Sequence, residues 1–134
     1  MHWVFTSDAP IYLQVVRQLE QMIASGMLAP GDRLLSVREF ASQANINPNT
    51  MQKALTELED RGIVYSKRTS GRFVTDDTER ISQLREKLAE KEITDFLTAM
   101  KRLGYSDTQA GRLVCERAKI TESKDQGFKK GYVL

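Results

Sequence analysis

A chain of 134 residues, 40% hydrophobic and 28% charged, has the composition of one soluble globular domain or two very small ones. No apolar run approaches the roughly 18 residues of a membrane span, and the opening Met-His-Trp-Val-Phe-Thr-Ser-Asp lacks the basic start and cleavage site of a signal peptide, so the cytoplasm is the expected compartment. The lone cysteine, Cys115, excludes an intramolecular disulfide and reads as a small core residue, no Cys/His cluster or phosphate-cradling glycine loop is present, and a net charge of +2 decides nothing about partners.

The first helix is expected from about Pro10 to Ser25, with Ile11, Val15, Leu19, Met22 and Ile23 on one face. Trp3 and Phe5 precede it in an arm that packs on the domain or on a partner, and His2 lies in a mobile stretch of that arm. Pro30-Gly31-Asp32 is a turn, and Arg33 to Leu35 reads as a short strand. Ser36 with Glu39 three residues on forms a capping box, so a second helix begins there with Val37, Phe40 and Ala41 inward. Asn47 before Pro48 is a strong N-cap before a favoured first helical residue, and starts a third helix that Gly62 ends. Its apolar positions, Met51, Leu55 and Leu58, keep helical spacing.

Ile63 to Ser66 and Arg72 to Thr75 alternate as strands and are joined through Lys67 to Gly71 as a hairpin. Three helices and a hairpin in this order describe a winged helix-turn-helix. Glu79 to Arg102 continues as a long amphipathic helix stopped by Gly104. Ser106 and Gln109 form a second capping box, opening a helix to about Lys119 with Ala110, Leu113, Val114 and Arg117 on one face. Residues 121 to 134 lack periodicity and read as a loose tail in which Phe128, Tyr132 and Val133 could dock. The expected fold is therefore mainly α with a small β-hairpin (α+β): a winged helix over residues 1–77 and a two-helix dimerisation extension with a tail over 78–134.

A helix-turn-helix carries the N-terminus of its second helix into the major groove of DNA. Here that end offers Asn47, Pro48, Asn49, Thr50, Gln52 and Lys53. Asparagine and glutamine can bond adenine in bidentate fashion, and threonine can meet a base or a thymine methyl. Arg38, in the first turn of the second helix, faces outward to clamp a phosphate or reach a guanine; the alternative is a surface salt bridge. From Arg61 to Thr75 there are four basic residues and no acidic ones. Lys67, Arg68, Thr69, Ser70 and Gly71 make a wing tip suited to following the backbone into a minor groove. Arg72 either joins them or pairs with a nearby carboxylate.

The run Pro10-Ile11-Tyr12, then Gly26-x-Leu28-x-Pro30-Gly31-Asp32-Arg33-Leu34-Leu35-Ser36-Val37-Arg38-Glu39-Phe40-Ala41, resembles the amino-terminal domain of GntR-family bacterial transcriptional regulators. Asn47-x-x-Thr50, Ala54-Leu55-x-x-Leu58-x-x-x-Gly62 and Gly71-Arg72-Phe73-Val74 continue the likeness. The resemblance implies a dimeric winged-helix repressor whose DNA contacts fall on Arg38, Asn47, Pro48, Asn49, Thr50, Gln52 and the wing from Arg68 to Gly71. Leu35 stands where the family usually has proline, which should loosen the turn but leave the helix cap intact. Pro48 stands where many members have arginine, which leaves base preference to Asn49 and Gln52. The short two-helix extension is similar to the YtrA-type group, which implies control of a transporter operon.

Two amphipathic helices cannot bury their apolar faces alone, and a two-fold dimer would bury them; the alternative is packing back on the winged helix of the same chain. Leu84, Leu88, Phe96, Leu97, Met100, Leu103 and Leu113 are the expected contacts. The expected partners are double-stranded DNA and a second copy of the chain; a small-molecule effector is left open, with no pocket located for it. No metal, cofactor or catalytic set is expected. The competing expectation is a winged-helix module that binds proteins and reads no DNA sequence.

Overall fold

The computed structural model describes residues 2–122, with backbone alone for 120–122. Its elements in chain order are α1 (Ile11–Ala24), α2 (Val37–Ala44), α3 (Pro48–Asp60), β1 (Val64–Lys67), β2 (Gly71–Val74), α4 (Thr78–Arg102) and α5 (Asp107–Glu122). They form two units, Met1–Leu88 and Ala89–Leu134. The expected tail, with Phe128, Tyr132 and Val133, falls on residues 123–134, outside the described ones.

In the first unit, Val15, Leu19 and Ile23 of α1 meet Phe40 of α2 and Met51, Leu55 and Leu58 of α3 in one core. Each is at most 1% exposed, so truncating any one of these side chains leaves a cavity that costs a few kcal/mol, about 2–5 for a leucine. Pro10 is the N-cap of α1 and not its first residue, because its extended ψ of 139° lies outside the helix. Ile11 shares the spacing of the core face but sits on the first turn and stays exposed. The arm before α1 is held on the chain's own domain. Gln18 exchanges hydrogen bonds with the main chain of Val4, and the buried Gln14 amide donates to the carbonyls of Thr6 and Ala9. Trp3 stacks on Phe5 and meets Phe40 edge-on, with ring centres 6.2 and 6.3 Å apart.

The capping box of α2 closes as the sequence predicts. Ser36 Oγ accepts the Glu39 N–H at 3.1 Å, and Glu39 Oε1 accepts the Ser36 N–H at 3.0 Å. Hydrogen bonding of the Glu39 carboxyl, first to the Ser36 N–H and then to the Ser36 side chain, lowers its pKa from the ordinary value. The cap forms with Leu35 half-buried against the core just before it. The hairpin pairs Val64 with Val74, Tyr65 with Phe73, Ser66 with Arg72 and Lys67 with Gly71. The strand expected at Arg33 to Leu35 is reduced to one bridge, Arg33 to Phe73, flanked by the bonds Leu34 N to Arg72 O and Val74 N to Asp32 O, both 2.9 Å.

The unit continues past residue 77 into the first turns of α4. Asp77 caps that helix, and Ile81 and Leu84 are buried in the same core with Leu88 half-buried against it. This corrects the expectation for Leu84, which the winged helix of its own chain covers; Leu88 is covered only in part. The periodicity that marked them reports an apolar face, not what buries it.

In the second unit the box of Ser106 and Gln109 opens α5, with bonds of 2.9 and 3.1 Å. Among the described side chains of α5, Ala110 and Cys115 are buried, whereas Leu113 and Val114, expected to share a face with Ala110, are exposed. Ile93, Phe96, Leu103 and Tyr105 are exposed as well, and Leu97 and Met100 are half-buried. Among the described residues no helix is long and apolar enough to cross a membrane.

Candidate nucleic-acid interface

The turn between α2 and α3 is built from three residues with separate tasks. Asn45 takes the left-handed conformation, φ 56°, that ends α2 and that asparagine tolerates better than most residues. Ile46 tucks against the core, its N–H bonded to the Ala41 carbonyl at 3.0 Å. Asn47 caps α3, its Oδ1 accepting the Asn49 N–H at 2.8 Å. The Asn47 carboxamide oxygen is thereby engaged in orienting the helix end.

Pro48, Asn49, Gln52 and Lys53 are exposed and Thr50 is half-buried, while Met51, Ala54 and Leu55 point into the core. The exposed set carries amide donors and acceptors beside the positive end of the helix dipole, an arrangement that favours phosphate and base edges together. Gln52 Nε2 donates to Thr56 Oγ1 at 3.3 Å, leaving the carboxamide oxygen open. Lys53 is more constrained than the sequence implies, because its ammonium lies 4.0 Å from the centre of the Tyr12 ring. Arg38 is exposed and makes no ion pair among the described residues, so the salt-bridge alternative is not realised.

The wing tip is the three-residue loop of Arg68, Thr69 and Ser70, all exposed, closed by the Ser70 N–H to Lys67 carbonyl bond of 3.1 Å. Gly71 has φ 101°, a conformation that a side chain would strain. Lys67 extends its ammonium over Phe73, 4.9 Å from the ring centre, and Phe73 stacks on Tyr65 at 5.7 Å. Arg33 was not foreseen here. Its guanidinium lies beside Gly71, in a groove of about 470 Å³ shared with Ser36, Glu39 and Arg72. Strand alternation was the available signal, since an inward Leu34 sends Arg33 outward.

Arg72 takes the other course left open for it. It pairs with Glu59, near the end of α3, and Ser66 Oγ donates to the same carboxylate oxygen at 2.7 Å. The wing is thus tied to the recognition helix. Partial burial opposes ionisation of Glu59, but the bonds from Arg72 and Ser66 and the Arg72 charge outweigh it and hold the carboxyl below its usual 4.5. The unfolded chain therefore binds this proton more readily than the folded one. The stabilisation is present above about pH 4.5 and is lost as pH falls through the lower folded value. Glu59→Gln should cost about 1 kcal/mol at pH 7 and progressively less in acid. Urea unfolding at pH 7 and pH 3 measures it; an equal cost at both pH values would show that the charge contributes nothing.

No group of His, Cys, Asp and Glu among the described residues could hold a metal ion. The profile of the family described as bacterial regulatory proteins, gntR family, matches residues 11–74. Over 102 residues the chain is 41% identical to the uncharacterized HTH-type transcriptional regulator YhcF of Bacillus subtilis (strain 168), across 76% of this chain and 84% of that protein. It is also 41% identical over 70 residues to the HTH-type transcriptional repressor YtrA of the same strain, across 52% of this chain and 54% of that one. Among solved structures, a GntR family transcriptional regulator from Listeria monocytogenes superposes with a TM-score of 0.76 at 37% identity, covering 84% of this chain and 98% of that one. These relatives are transcriptional regulators, not enzymes.

Proposed function

Because this chain belongs to the GntR family of DNA-binding transcriptional regulators, we propose that it is a repressor that binds a palindromic operator as a homodimer and acts in the cytoplasm, on a transporter operon. The observation that carries this reading is the start of α3. Asn49 and Gln52 stand exposed there on a helix fixed by the Asn47 cap, with Arg38 and Arg68 exposed on neighbouring elements. The amides offer base-edge recognition and the arginines offer phosphate clamps. The likeness to the repressor YtrA supports the repressor role. The exposed apolar side chains of the second unit support pairing with a second copy. Two recognition helices would then meet the major groove about one turn of DNA apart, ~34 Å.

Selection from random duplexes tests the reading. The expected result is one palindromic consensus, bound roughly 10³-fold or more above random DNA, with affinity falling steeply as salt rises. Salt-sensitive binding with no enriched sequence would instead describe a protein-interaction module with a basic surface, and would overturn the proposal.

A further inference from the structure

Lys53 stands in the second turn of α3, directly after Gln52, and is exposed. It makes no ion pair among the described residues, so no carboxylate there holds its ammonium. What holds it is an aromatic ring from another helix. Tyr12, in the first turn of α1, lies under the ammonium, which is 4.0 Å from the ring centre. The ring is itself fixed, because Tyr12 is half-buried against the core and α1 packs against α3.

A lysine side chain is flexible and loses much freedom when it is ordered. An ammonium over a ring is drawn to the negative face of the π-system, so the chain is ordered before any ligand arrives. The ring occupies one side of the ammonium and leaves N–H donors on the other, still in need of an acceptor. A phosphate oxygen supplies one without displacing the ring. Direction matters as much as order. Successive helix residues are about 100° apart, so Lys53 and Gln52 leave α3 on different sides, and the ring keeps Lys53 on the side of α1. A helix about 10–12 Å across with its side chains fills a major groove about 12 Å wide. A cation on its flank therefore faces the sugar–phosphate wall and not the base edges on the groove floor.

We propose that Tyr12 is a positioning residue for DNA recognition: its ring holds the Lys53 ammonium on the α1 flank of α3, where it binds a backbone phosphate and is kept from the base edges that Asn49 and Gln52 address. The proposal rests on the reading of α3 as the recognition helix. It brings α1 into the interface through one side chain that need not touch DNA. It also gives Lys53 a single task. A loose lysine beside two amides could bond guanine at its O6 and N7 and blur their preference; a lysine seated on a ring adds affinity for every sequence alike.

The test is a double-variant cycle on the full chain. Affinity for the duplex that the wild type selects, and for random duplex, is measured over a range of salt. Lys53→Gln should weaken both alike and lower the salt slope by about one phosphate contact, with the selected consensus unchanged. Tyr12→Leu should weaken binding about threefold when Lys53 is present, and not at all in the Lys53→Gln background. Any cost of Tyr12→Leu to packing is common to both backgrounds and cancels. Tyr12→Met supplies a second ring-free variant should the leucine one fail to fold. Tyr12→Phe, which keeps the ring, should bind as the wild type does. Equal losses from Tyr12→Leu in both backgrounds, or no loss in either, would overturn the proposal. So would a phenylalanine variant as weak as the leucine one, since the hydroxyl would then be the contact. A Lys53→Gln variant with the wild-type salt slope, or with a changed consensus, would overturn it too. A wild type that selects no sequence removes the recognition-helix reading itself, and shows this before any variant is made.

Discussion

A chain carrying Phe96→Asp should sediment as a monomer and bind its operator about 10²-fold or more weakly than the wild type, while its winged helix melts as before. The second unit leaves Ile93, Phe96, Leu103, Tyr105, Leu113 and Val114 exposed, a concentration of large apolar groups that a solitary chain has no reason to display. A carboxylate placed among them resists burial unless it is paired, so it opposes association through these residues. Half-sites bound by separate chains lose the effective concentration that links them, typically 10²- to 10⁴-fold in apparent affinity. None of these residues belongs to the core of the first unit, which separates loss of assembly from loss of fold. Leu97→Asp should act in the same way. Sedimentation velocity and a melting curve on each variant suffice, and a variant that stays dimeric would sink the proposed interface.

How much of this could be read in the sequence depended on how local the controlling interaction is. Ser36 with Glu39, Asn47 with Pro48, and Ser106 with Gln109 act over at most three residues, so the helix starts were legible without any tertiary information. The outward direction of Asn49 and Gln52 followed from those starts and from the inward Met51 and Leu55. Long-range pairing was not legible. Nothing in the chain's order told that Arg72 would pair with Glu59 across 13 positions, or that Arg85 would reach a carbonyl 61 positions away. The allegiance of Leu84 failed for a related reason. An amphipathic period gives the direction of the apolar face along a helix, whereas the surface that covers it belongs to another element. On α5 the small Ala110 and Cys115 are buried and the larger Leu113 and Val114 are exposed, a reversal that hydropathy alone does not anticipate.

Asn49→Ala and Gln52→Ala should each erase the preference for particular base pairs in each half-site, reducing discrimination there by about 10- to 100-fold, the contribution of a good bidentate contact. Both side chains are exposed, and neither belongs to the buried set that holds α3, so stability should move by less than about 0.5 kcal/mol. Arg68→Ala should behave differently. A wing arginine that meets phosphate contributes to every sequence alike, so its loss should weaken binding uniformly and lower the salt dependence by about one phosphate contact. The contrast distinguishes reading from holding within one surface. With arginine absent at Pro48, no long cation competes with the two amides at the start of α3. Their substitution should therefore alter the selected consensus itself, visible when each variant is passed through the random-duplex selection. If both alanine variants return the wild-type consensus with evenly reduced affinity, α3 positions the protein on DNA without reading it, and base preference must be sought in the wing and Arg38.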